Sequence, residues 1–444
     1  MAGYQSSFTR FWMMDEEDDD MHHLVDDDEV ELATYNHLVQ CESSQRRRRS
    51  DAPPKQIRPR NLGDADGHQR IWLDYFADQP VFNDRQFRER FRMRRHVVLR
   101  IVDAVQARNP NYFTRKHDCC GKLGLSALQK CVAALRILAY GLPANAIDEY
   151  VRIGESTARE ALRHFCRAII DVYGPYYLRA PNAADVARLL AEGEQRGFPG
   201  MLGSIDCMHW EWRNCPSAWK GMFTGRGKHP SMILEAVASH DLWIWHAYFG
   251  MPGSNNDINV LQRSPVFSSY LRGQSAPVNF QVNGRTYDMG YYLADGIYPT
   301  WPAFVKSIRH PMETKTQHFS TLQESARKDI ERAFGVLRAR FAVVRGPAYG
   351  WYPKQISEIM MACIILHNMI VEDEGDHAEN TAFSDIGYIA PVNQNNPDRE
   401  SFVDAHHRDS FVDAHRKLKN RNTHFQLQHD IIEHQWMLLG SDNI

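Results

Sequence analysis

Apolar positions recur with helical spacing from Ile71 onward and change to strand-like alternation after Gly200. Phe82, Phe87, Phe91, Val98, Ile101 and Val105 fall about three, four or seven residues apart, with arginines at 85, 88, 90, 92, 94, 95 and 100 between them. That spacing predicts an amphipathic helix with an arginine-rich polar face. Ser126 can cap a helix running to about Tyr140, Gly141-Leu-Pro stops it, and a short helix is expected from about Asn145 to Val151. Gly154-Glu-Ser156 then opens a longer helix from Thr157 toward Val172, containing Arg159, Arg163, His164 and Arg167. This order is that of a helix-turn-helix, although a plain helical bundle uses the same caps and breaks. Arg159, Arg163 and Arg167 share one helix face, where they could meet DNA phosphates together.

Met201 to Trp212 alternates and is rich in strand-favouring residues. Met232 to Ser239 and Leu242 to Gly250 predict two further strands, joined at His240-Asp241; Asn256 to Leu271 predicts a helix. Tyr287 to Leu293 predicts another strand, ending at Ala294-Asp295-Gly296, and Thr321 to Phe341 a long helix with Ile330, Phe334, Leu337 and Phe341 on one side. Strands followed by helix, strand and helix give an α/β order. From Glu372 to about Asn422 the chain is polar, and Ser-Phe-Val-Asp-Ala-His occurs at 401–406 and again at 410–415. One duplicated hexapeptide fits a tolerant linker better than a solenoid. A last amphipathic helix is expected from Phe425 to Leu439. The expected organisation is a disordered tail over 1–66, a helical block over 67–180, an α/β block over 195–372, a disordered linker over 373–422 and a closing helix over 423–440.

Composition adds one thing. The 444 residues are 43% hydrophobic, with no run of 18 apolar residues to span a bilayer, so a soluble protein is expected. The net charge of −3 hides a division: residues 1–44 carry −11 and residues 45–200 carry +11. A basic block beside an acidic tail is the balance of a polyanion-binding protein whose tail competes or solubilises. Arg46 to Arg49 could serve as a nuclear import signal or as part of a polyampholyte linker. The eight cysteines contain no CxxC pair and fit a reducing compartment. Cys207, His209 and Cys215 lack a fourth zinc ligand at finger spacing.

Four acids stand where chemistry could use them. Asp206 lies inside an apolar strand, a costly position unless the charge is paired or bound to metal. Asp295 follows an apolar strand, Glu331 adjoins the apolar stripe of the long helix, and Asp257 stands at a helix start. Each has a structural alternative: Asp257 as helix cap, Asp295 as part of an Asp-Gly turn, Glu331 as partner of Arg327 or Arg338. Asp206, Asp295 and Glu331 together match what a two-metal site requires, hard oxygen ligands converging from several elements. Lys220, Arg226 and Lys228 could contact phosphates, and Trp210 and Trp212 could stack on a base or fill the core.

Gly203-Ser-Ile-Asp-Cys-Met-His-Trp-Glu-Trp-Arg-Asn-Cys-Pro216, Gly253-Ser-Asn-Asn-Asp257, Leu293-Ala-Asp-Gly-Ile-Tyr-Pro299 and Glu331-Arg-Ala-Phe-Gly-Val-Leu-Arg-Ala-Arg-Phe341 resemble, in this order, the PIF/Harbinger (IS5-like) DDE transposases and the nucleases derived from them. The region from Leu125 to Tyr173 is similar to that family's helix-turn-helix part. The resemblance implies a ribonuclease-H-like core in which Asp206, Asp295 and Glu331 form the catalytic triad and bind Mg²⁺ or Mn²⁺, two ions in the full mechanism, with Asp257 a fourth metal-site candidate. It implies cutting of transposon ends and joining of 3′ hydroxyls to target DNA, in the nucleus. It also implies double-stranded DNA as partner, a Myb-like accessory protein, and a possible homo-oligomer. A non-catalytic DNA-binding or adaptor descendant is the alternative.

Overall fold

The computed structural model describes residues 67–375, apart from 118, 120 and 122, and residues 405–441. The expected tail 1–66, with Arg46 to Arg49, lies outside the described residues, as does 376–404 of the expected linker.

The arginine-rich stretch forms two helices, not one. After α1 (Gly67–Tyr75), α2 (Asp84–Phe91) opens on a capping box between Asn83 and Gln86 and stops where Arg92 turns left-handed, φ 65°. α3 (Arg95–Arg108) follows at once. The periodic pattern runs through the break because Phe87 and Phe91 before it, and Val98, Ile101 and Val105 after it, enter the same core.

α4 (Ala127–Tyr140) carries the expected Ser126 cap, reciprocated by Gln129. A 3₁₀ turn at Ala144–Ala146 and a single helical turn at Asp148–Val151 replace the expected short helix. α5 (Glu155–Tyr177) runs beyond Val172 and takes Pro175 into its last turn. It packs against α3, α4 and α9, the last spanning Pro353–Gly375 and described below. α6 (Ala183–Gln195), closed at its start by an Asn182–Asp185 capping box, has no counterpart in the pattern analysis.

The α/β order is borne out by a five-stranded mixed sheet in the order β3-β2-β1-β6-β7. β1 (Met201–Glu211) is central, antiparallel to β2 (Ser231–Ala238), which is antiparallel to β3 (Ile244–Pro252). β4 (Phe280–Val282) and β5 (Arg285–Tyr287) form a separate hairpin. β6 (Tyr291–Ala294) and β7 (Phe304–Lys306) continue the sheet in parallel from β1. The expected strand Tyr287 to Leu293 is therefore divided between hairpin and sheet. The expected helix Asn256 to Leu271 is cut short as α7 (Asp257–Arg263), because Pro265 disfavours helix at Ser264.

α8 (Thr314–Arg340) crosses β1, and α9 packs on β3 and α5. By length and composition α9 resembles a membrane span, yet Met360, Ile364, Leu366, Met369 and Ile370 are core residues. One core cluster continues from Ile71 through Trp210 and Leu234 to Ile370, so the expected helical and α/β blocks share their interior. The expected disordered linker is corrected at its far end: α10 (Ala405–Leu418) holds the second hexapeptide copy and buries Leu418. α11 (Arg421–Ser441) seats Leu427, Ile431 and Ile432 in a second core.

Candidate active site

Asp206 lies midway along β1, opposite Ala236 of β2. Its side chain is only 20% exposed, and one oxygen accepts the Cys207 N–H at 2.8 Å. Burial pushes its carboxyl from 3.8 up to about 6; the Cys207 N–H and Arg327 pull it down, while Asp257 and Glu331 push it further up. Two of the other candidate acids, Asp257 on α7 and Glu331 on α8, therefore bear on Asp206.

Asp257 is relieved of the capping role open to it. Asn256 caps α7, its side-chain oxygen accepting the Asn259 N–H at 2.9 Å. Burial raises the Asp257 carboxyl; a hydrogen bond with Cys207 and nearby His209 lower it, and Asp295 and Glu235 raise it. Asp295, exposed just after β6, accepts the Gly296 N–H, so its turn role is real and coexists with the electrostatic link to Asp257.

Glu331 takes Arg327, not Arg338, as its partner, at 2.9 Å, and the same guanidinium reaches Asp206 at 3.3 Å. One cation thus spans two of the acids. Sequence reasoning treats Arg327 only as a neutral-making partner of Glu331; its reach across to β1 appears only once α8 lies on the sheet.

Glu235 is a further acid absent from the sequence analysis. It is fully buried on β2, paired in register with Cys207, with His246 Nε2 at 3.4 Å. Its signal was available: a lone acid in Ser-Met-Ile-Leu-Glu-Ala-Val-Ala, the pattern that singled out Asp206.

The acids fit a divalent cation in donor type, since carboxylate oxygens are hard ligands, and in charge, since only Arg327 is seen to counter Asp206 and Glu331 together. Among the described residues, no three His, Cys, Asp or Glu side chains stand close enough to hold an ion. The zinc set does not assemble: His209 bonds Ser231 Oγ at 3.0 Å, and Cys207 Sγ lies 3.7 Å from the Tyr298 hydroxyl. Trp210 and Trp212 are core, donating to the Gly346 and Gly350 carbonyls at 2.7 and 2.8 Å.

Lys220, Arg226 and Lys228 lie on the segment between β1 and β2, and all three are exposed. Gly225 of that loop lies against Gly253; a Cβ on Gly225 would collide with the Gly253 carbonyl oxygen. Backbone contact thereby ties the cationic loop to the Gly253-Ser-Asn-Asn turn that presents Asp257. The α5 arginines are less free: Arg159 pairs with Glu155 and Arg167 with Glu358 at 2.8 Å, leaving Arg163 exposed without an ion pair among the described residues.

The mixed sheet thus carries Asp206 on its central strand, with Asp257 and Glu331 on neighbouring helices and three exposed cations on the segment between β1 and β2. A family model described as a plant transposon protein matches residues 175–378, a stretch that includes all four acids and bears out the resemblance. A second model, described as a domain of unknown function, matches residues 67–106. "Protein ALP1-like" of Arabidopsis thaliana is 25% identical over 270 residues, covering 59% of this chain and 64% of that protein. "Putative nuclease HARBI1" of Homo sapiens is 24% identical over 255 residues, covering 56% and 68%, and its Rattus norvegicus counterpart 26% over 252 residues. The chain thus spans about two thirds of the length of these curated relatives. No solved structure matches.

Proposed function

We propose that the chain is a metal-dependent DNA nuclease of transposase type, with Asp206, Asp295 and Glu331 as the catalytic acids and Asp257 as a fourth metal ligand. The observation that carries this reading is Asp206, a carboxylate on the central strand whose proton affinity is raised first by burial and then by Asp257 and Glu331. A folded protein tolerates such crowding where a cation relieves it. The strand order, three antiparallel strands continued by two parallel ones, supports a ribonuclease-H-like core, and the names of the relatives support nuclease or transposase chemistry on DNA.

Mg²⁺ or Mn²⁺, one ion or a pair, would be held by Asp206 and Glu331 with Asp257 and Asp295, and would supply Lewis-acid activation of water or a 3′ hydroxyl and charge stabilisation at phosphorus. Arg327 holds Asp206 and Glu331 toward each other without metal and has to yield them for ligation. Lys220, Arg226 and Lys228 bind the phosphate backbone beside Asp257, aided by Arg163 and, once freed, Arg159 and Arg167. A Myb-like accessory protein, self-association and nuclear residence belong to the same proposal.

A second reading, a DNA-binding or adaptor protein without cleavage, draws on Arg327 filling the space between two acids. Incubation of the purified full chain with terminal-inverted-repeat DNA and Mn²⁺ separates the two. The nuclease reading expects cleavage that Asp206→Asn, Asp295→Asn and Glu331→Gln each abolish; cleavage surviving all three rejects it, and DNA binding without cleavage favours the second reading.

A further inference from the structure

The front of the molecule holds a cavity of about 720 Å³ that the proposed nuclease chemistry does not use. Its walls are one face of α2, the turn into α3 with the start of that helix, and the C-terminal ends of α8 and α9. Arg85, Arg88, Arg92, Arg94, Arg95 and Arg340 line it, against three carboxylates. Glu374 is shared by Arg88 and Arg340, Glu89 takes Arg85 at 3.1 Å, and Asp84 takes Arg95. Asp373, behind the wall, takes Arg94 at 3.6 Å and His96 at 2.8 Å. Even with Asp373 counted, two positive charges are left over. Arg92 has no carboxylate partner among the described residues: its guanidinium lies 5.4 Å from the Tyr140 ring centre, and its buried Nε makes no hydrogen bond, as is also true of Arg95 Nε.

Two features of this wall work against stability. Arg94, Arg95 and His96 stand at the N-terminus of α3, the positive end of the helix dipole, with no acid in the first turn and no side-chain cap. Acids belong there on electrostatic grounds. Arg92 occupies a left-handed position that glycine would take without strain. A merely structural ion network would reward neither choice, whereas a bound anion rewards both, since it meets unpaired guanidinium donors and a helix N-terminus together.

We infer that this cavity binds a compact anion carrying two or three closely spaced phosphate groups. The surplus of positive charge calls for a multiply charged anion, and the concave wall suits a compact ligand better than the broad face of a duplex. The phosphates come either from the end of a single nucleic-acid strand or from a soluble oligophosphate. The site's front wall, Asp84 to His96, lies within the separately matched segment 67–106, apart from the acids of the sheet. The inference therefore stands whether or not the chain cleaves DNA.

The test uses the full chain without metal at physiological ionic strength, titrated with inorganic tripolyphosphate by calorimetry. A labelled, 5′-phosphorylated short single strand is followed in parallel by fluorescence anisotropy. Arg92→Gly removes the unpartnered cation while easing the backbone, so the fold is kept; thermal midpoints verify this. Arg94→Gln is the second variant, and Arg416→Gln, at an exposed ion pair elsewhere, is the control. One tripolyphosphate per chain is expected, weakened about tenfold or more by Arg92→Gly and by Arg94→Gln, as loss of a charge-assisted hydrogen bond requires, and unchanged in the control. If the single strand competes with tripolyphosphate and weakens in the same variants, a strand end is the natural ligand; tripolyphosphate binding without such competition identifies a soluble oligophosphate. Absence of saturable tripolyphosphate binding, or equal binding by Arg92→Gly, Arg94→Gln and wild type, overturns the inference.

Discussion

Replacing Asp206 by asparagine should make the metal-free protein more stable at neutral pH while removing its response to metal. In the fold the Asp206 carboxyl ionises near 6 instead of 3.8, chiefly because it is buried. The folded chain therefore holds this proton at pH values where the unfolded chain has released it. Stability falls as pH rises from about 4 through about 6 and stays down above that. A displacement of this size corresponds to about 3 kcal/mol. The asparagine side chain carries no charge and escapes the cost, so Asp206→Asn should match wild type near pH 4. Near pH 7.5 it should exceed wild type by up to about 3 kcal/mol, or about 6 °C at about 2 °C per kcal/mol for a large domain. Differential scanning fluorimetry over this pH range, first with chelator and then with Mn²⁺, reads both effects. Mn²⁺ should raise the wild-type midpoint at neutral pH and leave the variant's unchanged. A variant less stable than wild type at neutral pH would show that the Arg327 pair outweighs burial and would refute the reasoning.

Arg327→Gln should lower metal-free stability at neutral pH by about 2 kcal/mol, between the values for exposed and buried pairs, yet enlarge the Mn²⁺-induced rise in melting midpoint, because no guanidinium competes for Asp206 and Glu331. Asn368→Ala should cost about 3 kcal/mol by thermal unfolding. The buried amide accepts the Ile244 N–H at 2.9 Å and donates to the Ile244 and Tyr177 carbonyls at 2.7 Å each, three bonds with no replacement. Gly253→Ala should cost about 3 kcal/mol through overpacking; its Cβ would meet Ser231 Oγ and the Phe223 carbonyl oxygen. The shifted turn should also weaken any Mn²⁺ binding that depends on Asp257, measured by calorimetry.

Long elements with a regular period were legible in the sequence. β1 and the helix from Ala127 to Tyr140 follow from alternation and from a Ser126 cap, and the structure places them within a residue or so of expectation. What failed was local backbone chemistry that leaves hydrophobic phase intact. The break at Arg92 needs a left-handed arginine, which propensity disfavours, while Phe91 and Val98 continue one apolar stripe across it. Three-residue strands such as β7 give no period to detect. α9 reads as a nearly unbroken apolar run, which carries little facial signal for a helix buried on most sides.

The acids were legible one at a time, because a charge inside an apolar strand is costly wherever it falls. Their grouping was suggested by their placement on separate elements and made specific by the family resemblance. Arg327 was hidden for a different reason: its i,i+4 link to Glu331 is local, but its link to Asp206 spans 121 positions and depends on α8 crossing β1. Exposure misled at α5, where Glu155 and Glu358 pair with two of the three arginines aligned along the helix.

Titration of the full chain with Mn²⁺, followed by the loss of the free-ion electron paramagnetic resonance signal, tests most directly whether these carboxylates form a metal site. Saturable binding is expected in wild type, lost in Asp206→Asn, weakened in Glu331→Gln and Asp257→Asn, and strengthened in Arg327→Gln. Binding that is the same in all five proteins, or that wild type does not show, would contradict the account.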